Sequence, residues 1–378
     1  MPPPSLTRFG EAGSETTMPG PGAGERLMER EPVRSPMGGG VRGPFPSVGR
    51  GPRRTPAREV LSDYRGYDLQ AAWRGRERTT RLESAMVGLA KSDLDHRRWL
   101  EIGCGYGRLT PALANGAEEY VALDLNPETL ASVPVPTGPR VFRRVAANLN
   151  HLPFDQDSFT AVSLIRVLHH LEDPVTALRE IVRVLAPGGA LLLSYAPKPT
   201  LGSLQQDLRL RMDGHSPRRP FTTFSRADVD HLGEVPFPVL VPRQGHVARL
   251  VREVGLVPLH QYGHGPETLE RVLPFRASWG ISRVFGTTIL ASTRLLVCAK
   301  PGRTKILGAG TPLRWCCPRC GSALEPGPDE RMGPTSCQNC HFTLRSTSNL
   351  VDARYIPGSS RRVGPAVTEP YGDLDLSP

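Results

Sequence analysis

The sequence predicts an α/β fold, with a doubly wound and mostly parallel sheet, followed by a small cysteine-bearing module near the C-terminal end. Three observations carry that prediction. Five short apolar runs alternate with helix-patterned stretches between Trp99 and Ser194. A turn with three closely spaced glycines follows the first run, at Gly103, Gly105 and Gly107. Five of the seven cysteines crowd between Cys316 and Cys340.

The chain has 378 residues and a formal net charge of +10, long enough for two domains. Residues 1–60 hold 11 Pro, 11 Gly, nine Arg and six Glu with little aliphatic periodicity. Such a stretch buries too little apolar area to offset the entropy of ordering, and it reads as a flexible basic arm. From Thr79 the pattern changes: Leu82, Met86 and Leu89 fall at i, i+4 and i+7 and predict a helix. Trp99–Ile102, Tyr120–Leu123, Val141–Val145, Ala161–Ile165 and Ala190–Ser194 each suit a buried strand. Between the last two, Asp173 is a cap, Pro174 suits a first turn, and Val175, Leu178, Ile181, Val182 and Leu185 form an apolar stripe stopped at Pro187-Gly188-Gly189.

After the fifth strand the chain becomes basic, with nine basic and five acidic residues from Pro197 to Arg252. A helix is expected over His246–Val254, strands over Val257–Gln261 and Ser292–Ala299, and an apolar segment over Pro266–Leu290. The expected organisation is an arm over 1–60, the α/β domain over 61–302, a linker over 303–312, the cysteine module over 313–356 and a flexible tail over 357–378. The first 30 residues lack the apolar stretch of a signal peptide, and no run approaches a membrane span, so the expected setting is cytoplasmic.

Backbone at Gly103-Cys104-Gly105-Tyr106-Gly107 can approach a ligand closely, because side chains at the glycines would collide with it. Asp124 follows 17 residues after Gly107 at the end of the next strand, where a carboxylate can accept both hydroxyls of a ribose. Nucleoside binding follows from the pair. The glycines are spaced by two, whereas a pyrophosphate fingerprint spaces the last two by three, so a dinucleotide is disfavoured.

With Glu101 before the turn, Leu100-Glu101-Ile102-Gly103-Cys104-Gly105-Tyr106-Gly107 resembles the first motif of the class I S-adenosylmethionine-dependent methyltransferases, in particular the type 11 subgroup, whose sheet is Rossmann-like. Asn148 to Phe154, Ser158 to Leu164, Val167 to Leu171 and Arg183 to Gly189 resemble its later motifs in the correct order. The resemblance implies S-adenosylmethionine as cofactor, with Glu101 near its methionine end and Gly103, Gly105 and Gly107 lining it. It also implies Asp124 on the ribose, and Leu125, Asn148 and Leu149 around the adenine. Asn148 and Thr160 stand where the subgroup usually has Asp.

Methyl transfer is an in-line displacement that rests largely on positioning, so a catalytic base is optional. His169 and His170 are candidates for proton transfer, and Arg166 for orienting an anionic acceptor. No Asn-Pro-Pro-Tyr follows the fourth strand, which disfavours exocyclic amine methylation. Neither Cys104 nor Cys298 is placed for covalent catalysis.

Cys317-x2-Cys320, 16 intervening residues and Cys337-x2-Cys340 match the spacing of a structural four-thiolate zinc site. Cys316 is a substitute ligand at most. The segment from Cys340 to Arg354 resembles the zinc-ribbon activator subunit of tRNA, rRNA and release-factor methyltransferases, with His341 in place of that family's Gly.

Two acceptor classes stay open. Net charge, the ribbon and the basic insertion with Arg209, Arg211, Arg218 and Arg219 place RNA or an RNA-protein particle slightly ahead. A small molecule or lipid is the alternative, under an apolar roof that includes Leu269, Val272, Trp279, Val284 and Phe285. A third reading makes the chain a cofactor-binding scaffold without catalysis.

Overall fold

The computed structural model describes residues 68–356 apart from 172, 215–241, 244, 266–269, 271, 304–310, 326–335 and 348–349. The expected arm over 1–60 and tail over 357–378 lie outside the described residues, as do most of the expected linker, Arg218, Arg219 and Leu269.

Each crossover is built from a local signal. Strand β1 (Arg98–Ile102) leads through the glycine turn into α3 (Thr110–Ala114), after α1 (Leu69–Ala72) and α2 (Glu77–Lys91). Strand β2 (Glu119–Asp124) is followed by α4 (Pro127–Ala131), whose Asn126 Oδ1 accepts from Glu128 N at 2.9 Å as an N-cap, and then by β3 (Val141–Ala146). Strand β4 (Phe159–Leu164) precedes α5 (Pro174–Val184), capped as expected: Asp173 Oδ1 accepts from Val175 N at 3.0 Å and Thr176 N at 3.1 Å. The helix ends earlier than its sequence stop. Leu185 already pairs with Phe159, so Pro187-Gly188-Gly189 lies inside β5 (Leu185–Tyr195). Leu89 also departs from the expected stripe and is 37% exposed, because the buried face of α2 runs through Thr79, Leu82, Glu83, Met86 and Ala90.

Beyond β5 come α6 (Leu201–Met212), α7 (His246–Glu253), β6 (Val257–His264), α8 (Phe275–Phe285) and β7 (Thr293–Ala299). The strands β3-β2-β1-β4-β5 are parallel, and β7 then β6 continue the sheet antiparallel. The order in which successive strands are added across the sheet reverses at the β1–β4 pair. In a doubly wound sheet that is where the loops after neighbouring strands diverge and leave a crevice. Side chains alternate along β1, so Leu100 and Ile102 join a core with α5 and α7, while Trp99 joins the opposite core with Met86, Leu113 and Tyr120.

The C-terminal module adds two of its four strands to this sheet and pairs the other two with each other. Its strands are β8 (Trp315–Cys316), β9 (Ala323–Leu324), β10 (Arg345–Ser346) and β11 (Val351–Asp352). Strand β11 pairs parallel to β3, Val351 with Val145 and Asp352 with Ala146, and β10 pairs antiparallel to β11. The unpaired edge of β3 is thereby covered. On the other side Trp315 packs on Phe154 with ring centroids 5.1 Å apart, and Cys316 N donates to the Pro153 carbonyl at 3.1 Å.

The apolar roof expected over 266–290 does not form as read. Helix α8 turns Ser278 and Ser282 inward, while Val272, Val284 and Phe285 are exposed by 73%, 68% and 44%. Trp279, expected in the same roof, packs against the core. Among the described residues no helix is long and apolar enough to cross a membrane.

Candidate functional site

The glycine turn leaves β1 at the reversal point. Gly103, Gly105 and Gly107 have φ of 67°, 55° and 82°, the left-handed region that side chains disfavour. Their reasons differ. A Cβ on Gly103 would run into Val167 Cγ2, and one on Gly107 would come within 2.8 Å of Pro134 Cδ and Val133 Cγ1. A side chain at either of these two glycines would thus collide with the protein itself. Gly105 has the most space, with Leu69 Cδ1 nearest at 3.7 Å.

Asp124 braces the turn from the end of β2. Its Oδ2 accepts from Gly105 N at 2.9 Å and its Oδ1 from Asn126 N at 3.0 Å. Burial raises its pKa against the pull of these backbone donors. A carboxylate has about four lone-pair sites, so acceptor capacity is left for ribose hydroxyls. Glu101 Oε2 accepts from Thr110 Oγ1 at 2.6 Å and Tyr120 OH at 2.7 Å. Burial pushes its pKa up to about 7 despite those two donors. A buried, reluctant anion of this kind suits a cationic ligand.

Beyond β3, Leu149 is buried and Leu125 half-buried. The Asn148 amide is divided between two segments: its Oδ1 accepts from Asn150 N at 3.0 Å, and its Nδ2 donates to the Tyr355 carbonyl at 3.4 Å. Thr160, where the resemblance expects Asp, lies far from the crevice and bonds both the amide and the carbonyl of Arg98, at 3.1 and 3.2 Å.

After β4, Arg166 takes a left-handed φ of 60°. Its Nε donates to Glu83 Oε1 at 2.6 Å, so the guanidinium belongs to a buried cluster and is not a surface group. His169 and His170 follow with ring centroids 3.9 Å apart. Burial, then the neighbouring His169, hold His170 well below the usual imidazole range, so it is neutral at pH 7.

Sequence reading missed most of that cluster. Glu83 Oε2 meets Arg108 Nη2 at 2.6 Å. Its Oε1 also lies 3.5 Å from His264 Nε2, and His264 Nδ1 lies 2.6 Å from Glu270 Oε1. Burial opposes ionisation of Glu83, but Arg166, His264 and Arg108 hold its pKa well below the carboxylate range. Burial lowers His264 too, yet Glu270 and Glu83 raise it to about 9. Trp73 covers the cluster, with the Arg108 guanidinium 3.7 Å and the Arg166 guanidinium 5.0 Å from its ring centre. The available signal was Glu83 itself, a charged residue four after Thr79 and three before Met86 on an apolar helix face.

In the C-terminal module the thiols of Cys317, Cys320, Cys337 and Cys340 lie within 4.8 Å of one another. The 317–340 and 320–337 sulfur pairs are 3.5 and 3.6 Å apart. Tetrahedral zinc with bonds of about 2.3 Å sets its sulfurs roughly 3.8 Å apart, so the four fit that ion. Cys316 points away, its Sγ 3.0 Å from the Phe154 carbonyl. His341, standing at the resembled family's Gly, has φ 57°.

The family model described as a methyltransferase domain matches residues 100–193. The ubiquinone biosynthesis O-methyltransferase of Xanthomonas oryzae pv. oryzae is 33% identical over 108 residues, which is 28% of this chain and 45% of that protein. The enzyme of the same name from Xanthomonas campestris pv. campestris is 32% identical over 108 residues, with the same coverage of 28% and 45%. The chain thus spans less than half the length of these curated relatives. Among solved structures, an S-adenosylmethionine dependent methyltransferase from Listeria monocytogenes aligns with TM-score 0.45 at 16% identity, covering 60% of this chain and 100% of that one. A chain of the Haloferax volcanii complex that contains the Trm112 methyltransferase activator aligns with TM-score 0.40 at 19% identity, covering 62% and 96%.

Proposed function

We propose that this chain, whose residues 100–193 are a methyltransferase domain, transfers a methyl group from S-adenosylmethionine to a hydroxyl of a small molecule. The observation that carries the cofactor is the bond from Gly105 N to Asp124 at the reversal point of the sheet. It sets a half-buried carboxylate beside open backbone, the arrangement a ribose needs. When bound, the cofactor supplies an electrophilic methyl group on a sulfonium.

The chain's own residues hold and orient. Glu101 meets the cationic end, Gly105 lets the backbone approach, Asp124 takes the ribose, and Leu125, Leu149 and the Asn148 loop flank the adenine. A phenolic acceptor must lose a proton, and the neutral imidazole of His170, in the turn after β4, is the candidate to accept it, with His169 beside it. Arg166, committed to Glu83, acts by shaping the wall of the crevice. Four thiolates at Cys317, Cys320, Cys337 and Cys340 hold a structural zinc.

A small acceptor is favoured over RNA because the matched relatives are named for ubiquinone biosynthesis. The RNA reading leaned on Arg209, Arg211, Arg218 and Arg219, of which the last two lie outside the described residues. The test is calorimetry with S-adenosylhomocysteine on the wild-type protein and on Asp124→Ala. The substitution is expected to weaken binding by about 1.5–3 kcal/mol, the scale of a lost hydrogen bond to a charged group. Unchanged affinity would refute the cofactor assignment. Labelled methyl transfer to hydroxylated aromatic compounds, with bulk RNA as the comparison, separates the two acceptor classes.

A further inference from the structure

We infer that helices α6 and α8 form a docking surface for an anionic lipid bilayer, on which the protein rests without spanning it. Both helices have inverted polarity. A helix on the surface of a globular protein ordinarily buries its apolar stripe and turns its polar face to water. In α6, Leu204, Leu208 and Met212 recur at i, i+4 and i+8 along one stripe and are 50%, 61% and 78% exposed. The opposite face holds the buried Leu210 and Asp207, whose carboxylate meets Lys198 Nζ at 2.6 Å. Helix α8 repeats the inversion, with Ser278 and Ser282 buried and Val284 and Phe285 outside.

Charge decides what covers these stripes. At 3.6 residues per turn Arg209 and Arg211 fall on either side of the α6 stripe. Both are exposed, and Asp207, the one acid of the helix, is neutralised by Lys198. Arg276 and Arg283 lie on the exposed side of α8, and the sequence has no Asp or Glu between Glu270 and Glu325. Apolar side chains flanked by arginines suit a helix lying in the headgroup layer, with its hydrocarbon among the upper acyl chains and its guanidinium groups on phosphates. A second copy of the chain fits poorly, because a two-fold contact would set these arginines against one another. RNA would engage the arginines and leave the leucines and the methionine in water.

The two helices also share one edge of the sheet. Ile102 pairs with Leu164, Leu164 with Leu193, and Tyr195 with Arg294, so the ends of β1, β4 and β5 and the start of β7 lie together. Short connections, 196–200 and 286–292, join α6 to β5 and α8 to β7 at that edge. The glycine turn and the His169-His170 turn leave the same edge. Docking through α6 and α8 keeps the mouth of the crevice near the bilayer. The surface itself does not depend on which acceptor the crevice takes.

The test is flotation of the full-length, zinc-loaded protein with vesicles of phosphatidylcholine alone and of an equal mixture of phosphatidylcholine and phosphatidylglycerol. Binding to the mixed vesicles is expected, weakening as salt is added, with little on the neutral ones. Arg209→Ala combined with Arg211→Ala should weaken it about 25-fold, from a factor of five for each charge near the surface. Leu204→Ser combined with Leu208→Ser should weaken it about tenfold or more while leaving every charge in place. Phe285→Ser is expected to act in the same direction through α8. All five side chains are exposed, and unfolding midpoints on each variant report that the fold is retained. Protein that floats with neither vesicle overturns the surface, as does binding that the leucine variants leave at its wild-type level. Retention of RNA in place of vesicles, or a dimer that the leucine variants split, assigns the stripe to another occupant and overturns it too. None of these outcomes bears on whether the crevice binds S-adenosylmethionine.

Discussion

Asn148 and Tyr355, separated by more than two hundred residues, are joined by a hydrogen bond from the Asn148 amide to the Tyr355 carbonyl at 3.4 Å. Tyr355 also sets its ring edge-on to His151 at 5.1 Å and to Phe342 at 5.9 Å, and Phe342 lies two residues after Cys340. The loop assigned to the adenine therefore leans on the cysteine module. Strand β11 holds one end of that loop through Ala146, and Cys316 holds the other through Pro153.

Stripping the metal should consequently be felt at the cofactor site. Folding and metal binding are coupled in so small a unit, so Cys317→Ser or Cys337→Ser is expected to release zinc and unpair β11 from β3. Cofactor affinity should fall with it. Cys316→Ser should retain the metal, since that thiol faces Phe154. Metal analysis and calorimetry on the same samples check both statements, and full cofactor affinity in a zinc-free protein would contradict the coupling.

Cofactor binding should depend on pH through Glu101. Its pKa is raised by burial to about 7, so below that pH the carboxyl is largely neutral and attracts a cation weakly. Binding a cation drives its ionisation and releases a proton. Affinity is expected to rise by up to about tenfold per pH unit below 7 and to level off above. Glu101→Gln should bind more weakly and lose the slope. Titrations in buffers of different ionisation enthalpy will count the proton.

Stability should fall at alkaline pH through His264. Its folded pKa of about 9 lies above the ordinary 6.5, so its contribution is complete below 6.5 and is lost as pH rises through 9. The loss is about 3 kcal/mol at most, from the size of the shift. Glu83 works in the opposite direction: its lowered pKa contributes stability above the ordinary value near 4.5 that disappears in acid. Thermal unfolding from pH 6 to 10 should show the alkaline decline in the wild type and a flatter profile in His264→Gln.

Gly103 and Gly105 should separate by phenotype. Gly103→Ala forces a methyl into Val167 and is expected to destabilise the protein by about 2 kcal/mol or more. Gly105→Ala adds a methyl with ordinary contacts to Leu69, so its stability cost is about 1–2 kcal/mol from the left-handed backbone. Its larger effect should be on cofactor affinity. Unfolding midpoints and titrations on the two variants give the comparison.

Strand positions, the cap at Asp173 and the gathering of four cysteines were legible because each depends on residues close in sequence. Apolar runs between turn residues predict β1 to β4 to within two residues at each end, whereas in β5 cross-strand pairing of Leu185 with Phe159 extends the strand backwards. Helix α8 was misjudged for a related reason. An apolar stripe reads as buried only if something covers it, and here Val284 and Phe285 face outward while two serines face in.

By itself the sequence determined which elements form, that a glycine turn and an acid meet at the ends of β1 and β2, and that four cysteines gather, since turn geometry, periodicity and short spacings are local properties. The tertiary structure decided what no spacing encodes. It brought Glu83 from α2, Arg108 from the glycine turn, Arg166 from the exit of β4 and His264 from the end of β6 into one buried cluster, because ionised side chains shut away from water must find one another across the fold. It also laid β11 along β3, because an open sheet edge holds unpaired amides and carbonyls that any strand of suitable register can satisfy.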